Sequence, residues 1–293
     1  MTEEKITTKK KLKQVQTEKS DVAMSFLEHL EQLRWHLVRI FIAVFVLGIV
    51  AFIFKEFIFD EILLGPREDD FVTNVFFCKM GKILGIDSMC INTGMFELIN
   101  INMAGQFSTH IKVSLVAGFV VAFPYIFWEF WTFISPALYN TERKHTTNAV
   151  FWSSFLFIFG VAFGYFVIAP LTIQFFGGYL VSDVVGNQIN LVSYVSMMSS
   201  VLISGGVVFE LPILIYFLSK AGIVTPDFLK KYRKHSIIII LTISAIITPP
   251  DIFSQILVGL PLMFLYEVGI FLSKRVVKQK KIEADKLLTE VKS

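Results

Sequence analysis

Long apolar runs separated by short charged stretches constrain this chain more than any other feature. In a bilayer, backbone N–H and C=O groups find partners only inside helices or closed barrels. Six such segments are readable: Leu37 to Phe59, Val113 to Trp131, Val150 to Phe176, Tyr194 to Ser219, Ser236 to Thr248 and Ile256 to Leu272. Strands of a membrane barrel would be shorter and alternating, so the expected fold class is an all-α polytopic membrane protein with six transmembrane helices. Composition agrees, since 54% of the 293 residues are hydrophobic, 31 are Phe and only 17% are charged. That balance excludes a soluble enzyme. The net charge of +3 fits lysines and arginines held on one side of a membrane, and no nucleic-acid partner is expected.

Charge placement sets the orientation. Twenty-two of the 27 Lys and Arg residues lie before or entering the first segment, after the second, around the loop after the fourth or beyond the sixth. The opposite side carries Lys55, Arg67, Lys79, Lys82 and Lys112 alone, beside a run of acids. Both termini are therefore expected in the cytoplasm. Residues 1–23 read as a polar, Lys-rich tail, expected to be disordered, 24–273 as the six-span domain with an outer loop at 60–110, and 274–293 as a basic cytoplasmic tail. The first run is too long for a secretory leader and lacks a small-residue cleavage pattern, so it should stay attached. Segments five and six, 13 and 17 residues, correspond to about 20 and 26 Å of helix against a hydrocarbon core of about 30 Å. Either the helices run past the apolar limits or the bilayer thins around them.

Several polar residues stand out inside these segments. Glu210, between Phe209 and Leu211, is costly at such depth unless it is paired, protonated or facing a cavity, and Pro212 should kink the helix there. It is expected to face a water-accessible concavity, with a structural hydrogen bond to a neighbouring helix as the alternative. Glu267 has the same two readings and lies nearer the helix end, where snorkelling suffices. Asp251 and Gln255 border the Thr248-Pro249-Pro250 turn, where capping explains either. Gly160 and Gly164 form a Gly-x-x-x-Gly pair suited to close helix packing. The five histidines are scattered and no nucleophile or ligand motif is present, so no metal, cofactor or catalytic centre is expected. Cys78 and Cys90, the only cysteines, fall in the outer loop and are expected to pair, two free thiols being the alternative. Closing a loop of about 13 residues would stabilise it by up to about 3 kcal/mol.

On the cytoplasmic side, an amphipathic helix starts near Ser25, with Phe26, Leu27, Leu30, Leu33 and Leu37 on one stripe. Ser25 and Glu28 fit a capping box, whereas Glu31 and Gln32 have no such structural role. Between segments two and three runs an aromatic stretch, then Phe133, Ser135-Pro136 and Asn140, with Glu142 either in the first turn of the third helix or free to bind a ligand.

At these residues the chain resembles the TatC family of the twin-arginine protein translocase. Four stretches carry the resemblance in the family's order: Phe26-Leu27-Glu28-His29-Leu30-Glu31-Gln32-Leu33-Arg34, Phe133-Ile134-Ser135-Pro136-Ala137-Leu138-Tyr139 through Glu142-Arg143, Phe209-Glu210-Leu211-Pro212, and Thr248-Pro249-Pro250-Asp251-Ile252-Phe253-Ser254-Gln255. The resemblance covers roughly residues 24 to 275. It implies a glove-shaped helical receptor in the bacterial inner membrane, working within an oligomeric complex. Its cytoplasmic carboxylates would bind the arginine pair of a signal peptide, through Glu142, Glu31, Gln32 and Glu28 with Phe133 and Pro136 beside them. Glu210, Gln255 and Asp251, which fall in these stretches, would be functional polar residues within the membrane, and Glu267 joins them on its position in the sixth segment alone. It also implies TatA- and TatB-type single-span partners and transport driven by the proton-motive force without a nucleotide. One position departs from the family: its acid falls on Gln32, with Glu31 one residue earlier and about 100° around the helix. Glutamine accepts a hydrogen bond from arginine but lacks the charge-assisted bidentate contact. A proton- or ion-coupled secondary transporter using Glu210 is the alternative, against which stands the absence of a readable inverted repeat.

Overall fold

The computed structural model describes residues 26–68, 70–85, 97–134, 146–182, 184, 186–248 and 252–292. Five helical stretches are long and apolar enough to cross a membrane: Leu30–Ile53, Gly105–Phe133, Ala149–Gly178, Leu191–Lys220 and Ser254–Ile282. They coincide with five of the six segments read from hydropathy. The remaining one forms a helix of 15 residues, Arg233–Ile247, or about 22 Å.

Helix α1, Phe26–Ile53, packs along much of its length against α3, Gly105–Ile134. Glycine permits that approach, since a Cβ on Gly118 would stand 2.6 Å from the backbone nitrogen of Gly48. Helix α4, Thr146–Phe163, passes through a wide π-type turn, Gly164–Ile168, into α5, Ala169–Gly178. Helix α6, Leu191–Phe209, starts at Asn190, whose side-chain oxygen accepts from the Val192 N–H at 2.8 Å, the expected job of an N-cap asparagine. The Gly160 and Gly164 pair packs α4 on α6. A Cβ on Gly160 would lie 2.5 Å from the Gly205 carbonyl, and one on Gly205 would lie 2.7 Å from the Gly160 carbonyl. Around this contact Phe157, Val195 and Met198 are fully buried, and Phe123 of α3 stacks on Phe157. Apolar packing and close backbone approach hold the middle of the bundle.

Glu210 interrupts the fourth long stretch, so α6 ends at Phe209 and α7, Leu211–Lys220, begins with Pro212 in its first turn. There the missing proline N–H costs no hydrogen bond. The expected kink is thus a break at Glu210 itself. After Gly222, whose φ of +78° suits glycine, comes α8, Pro226–Lys231, then α9, Arg233–Ile247, and α10, Ile252–Lys292. The last helix is 41 residues long. Shortness therefore belongs to segment five alone, because segment six continues as helix through the basic stretch that had read only as a tail.

The 60–110 segment is more than a loop. A π-type turn, Phe57–Leu63, leads to α2, Val72–Leu84, which Gly85 closes with φ +69°. Leu98–Ile99 (β1) pairs in parallel with Ile189–Asn190 (β2), in the register Leu98 to Ile189 and Ile99 to Asn190. Side chains fasten this cap to the spans: Tyr194 and Tyr165 donate to the Leu63 and Ile62 carbonyls, each at 2.8 Å, and Thr73 donates to the Phe166 carbonyl. Helix α3 also begins at Gly105, eight residues before its apolar run.

Candidate functional site

Of the carboxylates within the spans, Glu129 and Glu210 are the two drawn into the bundle, and their surroundings differ. The first is Glu129, near the end of α3 that leads to residues 135–145. It is 8% exposed. One turn earlier on the same face, the Tyr125 hydroxyl donates to Glu129 Oε1 at 2.6 Å. From α1, His36 Nδ1 meets Glu129 Oε2 at 2.5 Å and the Arg39 guanidinium stands 3.8 Å from the same oxygen. The His36 and Phe133 rings also meet edge to face, centroids 5.8 Å apart. The four-residue spacing of Tyr125, Glu129 and Phe133 puts them on one stripe of α3. His36 and Arg39 present the same three- to four-residue logic from α1.

This cluster was not foreseen. Glu129 sits in an aromatic run that reads as an interface belt, and His36 reads as one of five scattered histidines. The available signal was the Tyr125, Glu129, Phe133 spacing, which marks a polar stripe on an otherwise apolar helix. Its effect is to hold the N-terminal part of α1, with the signal-peptide candidates, against the end of α3. Gln32 is half-buried there, while Glu31 is exposed and paired with Arg34 at 3.5 Å. Arg34 also lies 5.5 Å over the Trp35 ring. Phe133 is half-buried beside the cluster. The Glu28 side chain, Pro136 and Glu142 lie outside the described residues, as do Asp251 and Cys90. Cys78, on α2, is disulfide-bonded.

The second carboxylate is Glu210 at the α6–α7 break. The Ser153 hydroxyl of α4 donates to Glu210 Oε1 at 2.8 Å, whereas Oε2 is buried and accepts no hydrogen bond among the described residues. Its main chain links both helices: Glu210 N–H donates to the Val207 carbonyl and its carbonyl accepts from Leu214 N–H. Two of the other polar candidates, Glu267 and Gln255, have structural partners. Glu267 on α10 binds Arg233 at the start of α9 through both carboxylate oxygens, each contact 2.8 Å. Gln255 donates to the Leu241 carbonyl at 3.1 Å and so ties α10 to α9. Among the described residues no group of three His, Cys, Asp or Glu side chains forms a metal site.

Comparison with known proteins gives one family. Its description is "Sec-independent protein translocase protein (TatC)", and it matches residues 28–261. A TatC protein of Blattabacterium sp. subsp. Periplaneta americana is 42% identical over 259 residues, covering 88% of this chain and 97% of the relative. One from Aquifex aeolicus is 34% identical over 259 residues, covering 88% and 98%. A crystal structure titled "Twin Arginine Translocase Receptor- TatC" superposes with a TM-score of 0.63 at 34% identity, covering 85% of this chain and all of that one. With two polar centres set in a bundle of this architecture and the relationship running through nearly the whole span region, this membrane protein belongs to the TatC family of Sec-independent protein translocase proteins.

Proposed function

We propose that the chain is the receptor and core subunit of a twin-arginine translocase. Six spans, with α9 as the short fifth, leave both termini in the cytoplasm of a bacterial cell and the chain in its inner membrane. Signal peptides with paired arginines bind on the cytoplasmic face at Glu142, Glu31, Gln32 and Glu28, with Phe133 and Pro136 contacting the peptide's apolar part. TatA- and TatB-type single-span proteins dock along the membrane flanks of an oligomeric complex. The proton-motive force drives passage of the folded cargo, and Glu210 is required for it within the membrane. Gln255, Asp251 and Glu267 support the same membrane-embedded machinery. On the outer side Cys78 is joined to Cys90.

One observation carries this reading: His36 of α1 bonded to Glu129 of α3, with Phe133 against the same imidazole. It brings two stretches about 90 residues apart in sequence to one end of the bundle. Two guanidinium groups need acceptors on a rigid surface, and a helix carrying Glu31 and Gln32, fixed to the helix that leads to Glu142, supplies one. A carboxylate contact of that kind, once partly desolvated, costs about 2 to 5 kcal/mol to break by truncation.

The test is binding of a signal peptide with consecutive arginines to the purified protein. Glu142→Ala should weaken binding at least tenfold relative to the parent, and a peptide with both arginines replaced by glutamine should lose the same increment. Gln32→Glu should tighten binding by restoring a charge-assisted contact. Equal affinity of the parent and Glu142→Ala would mean that the receptor site is elsewhere.

A further inference from the structure

A groove of about 700 Å³ runs between α4, the end of α6 with α7, and α10. Its middle is walled by Phe155, Phe159, Phe209 and Phe264, with Pro261 at the deep end. Trp152 and Tyr216 also line it, and Arg275 and Gln279 close the other end. Those walls belong to stretches long and apolar enough to cross a membrane. Hydrocarbon is therefore the medium that the deep end meets. Pro261 to Gln279 spans about 27 Å at 1.5 Å per residue, somewhat more than one leaflet with its headgroups, about 20 Å.

Arg275 decides the occupant. Its side chain is exposed, its guanidinium lies 4.5 Å over the Phe271 ring, and it makes no ion pair among the described residues. Lys274, Lys278, Lys280 and Lys281 surround it in sequence on the same helical extension. A planar guanidinium at the polar mouth of an apolar groove is matched by a phosphate with a hydrocarbon tail. Basic pockets between transmembrane helices bind anionic lipid headgroups by this combination. A small polar anion would leave the phenylalanine walls unfilled, and a zwitterionic lipid would offer Arg275 a phosphate whose charge its own ammonium already offsets, leaving the basic helical extension without a net counter-charge. A partner helix would fill the walls, yet it would have to bring its own anion to Arg275.

We infer that this groove is a binding site for an anionic glycerophospholipid, an acyl chain lying along the phenylalanine walls and the phosphate bonded to Arg275. Gln279, one turn further on, donates to the headgroup, and Trp152 with Tyr216 flanks it at the interface, where amphipathic rings are favoured. The bound lipid thereby bridges α4 to α10, which face each other across the groove.

The experiment is native mass spectrometry of the full-length protein in mild detergent, titrated with phosphatidylglycerol, phosphatidylcholine or inorganic phosphate. The parent should retain one phosphatidylglycerol with an apparent affinity at least tenfold above that for phosphatidylcholine, and inorganic phosphate should not displace it. Arg275→Gln should lose at least tenfold in affinity while Arg275→Lys keeps most of it. Val268 of α10 also lines the groove, and Val268→Trp, which fills it without touching the charge, should also lose the lipid, with unchanged helical circular dichroism in every variant. Retention of phosphatidylglycerol by both Arg275→Gln and Val268→Trp at parental affinity overturns the assignment. So does displacement by inorganic phosphate alone, or a membrane helix that crosslinks from position 268 and expels the lipid.

Discussion

Glu129 and Glu210 are both carboxylates inside helices of membrane-spanning length, yet the fold treats their oxygens differently. Glu129 Oε1 accepts from Tyr125, and Oε2 faces His36 with Arg39 behind it. Glu210 has one hydrogen bond, from Ser153, and its second oxygen is buried without a donor among the described residues. Backbone context differs as well: Glu129 lies within an unbroken helix, whereas Glu210 is the break between α6 and α7. A buried carboxylate with all its partners rigidifies the elements that supply them, and one left half-satisfied is where change is cheap. The first therefore acts as a clamp between α1 and α3. The second can change partners at little cost.

The largest effect should come from breaking the clamp. Glu129→Ala strands the Tyr125 hydroxyl and the His36 ring in a site that is almost closed to solvent, and it opens a small void. Losing hydrogen bonds to a charged acceptor in such a place costs about 3 kcal/mol. In a thermal or denaturant unfolding series the variant should fall by that amount, and Glu129→Gln, which keeps an acceptor, by about half of it. His36→Ala in the Glu129→Ala background should add little, because the two residues share one interaction. Additive losses would show that α1 is held to α3 by its apolar contacts alone, and the contrast with Glu210 would disappear.

At Glu210 the expectation reverses. Glu210→Gln retains the Ser153 hydrogen bond and removes the titratable proton. Stability should change by about 1 kcal/mol or less, while export of a twin-arginine substrate falls at least tenfold. A Gln variant that exports like the parent would make Glu210 a structural acceptor for Ser153, and one that fails to insert would make it a second clamp.

The two centres also differ in how far the sequence reveals them. Glu210 is visible because it is an isolated acid among apolar neighbours with Pro212 two residues on, and the helix does break there. Glu129 is hidden because its meaning is tertiary: His36 and Arg39 lie 93 and 90 positions away, and periodicity cannot report a contact between two helices. The same reason conceals the β1–β2 pairing, two residues joined across about 90 positions. Helix α2 was concealed differently, since its 13 residues are too few and too mixed to resemble a span. Five of the six spans were legible from hydropathy, and the Gly160 contact from its four-residue repeat, because both are set by local composition.

Glu267 tests the comparison at its weakest point, since it has ideal geometry without burial. Both of its oxygens contact Arg233 at 2.8 Å, so by hydrogen bonding it looks better satisfied than Glu129. Its side chain, however, is 50% exposed and that of Arg233 is 47% exposed. If satisfaction alone set the contribution, removing this pair would be as damaging as removing Glu129. Burial argues otherwise: an exposed pair is worth about 0 to 1 kcal/mol even with good geometry, and salt screens it. A double-mutant cycle with Arg233→Gln and Glu267→Gln should therefore return a coupling of a few tenths of a kcal/mol up to about 1, shrinking as salt is raised. A coupling above about 2 kcal/mol that ignores salt would mean that surrounding lipid desolvates the pair. In that case the α9–α10 pair would contain a second clamp, and Glu210 would stand alone as the acid left half-satisfied.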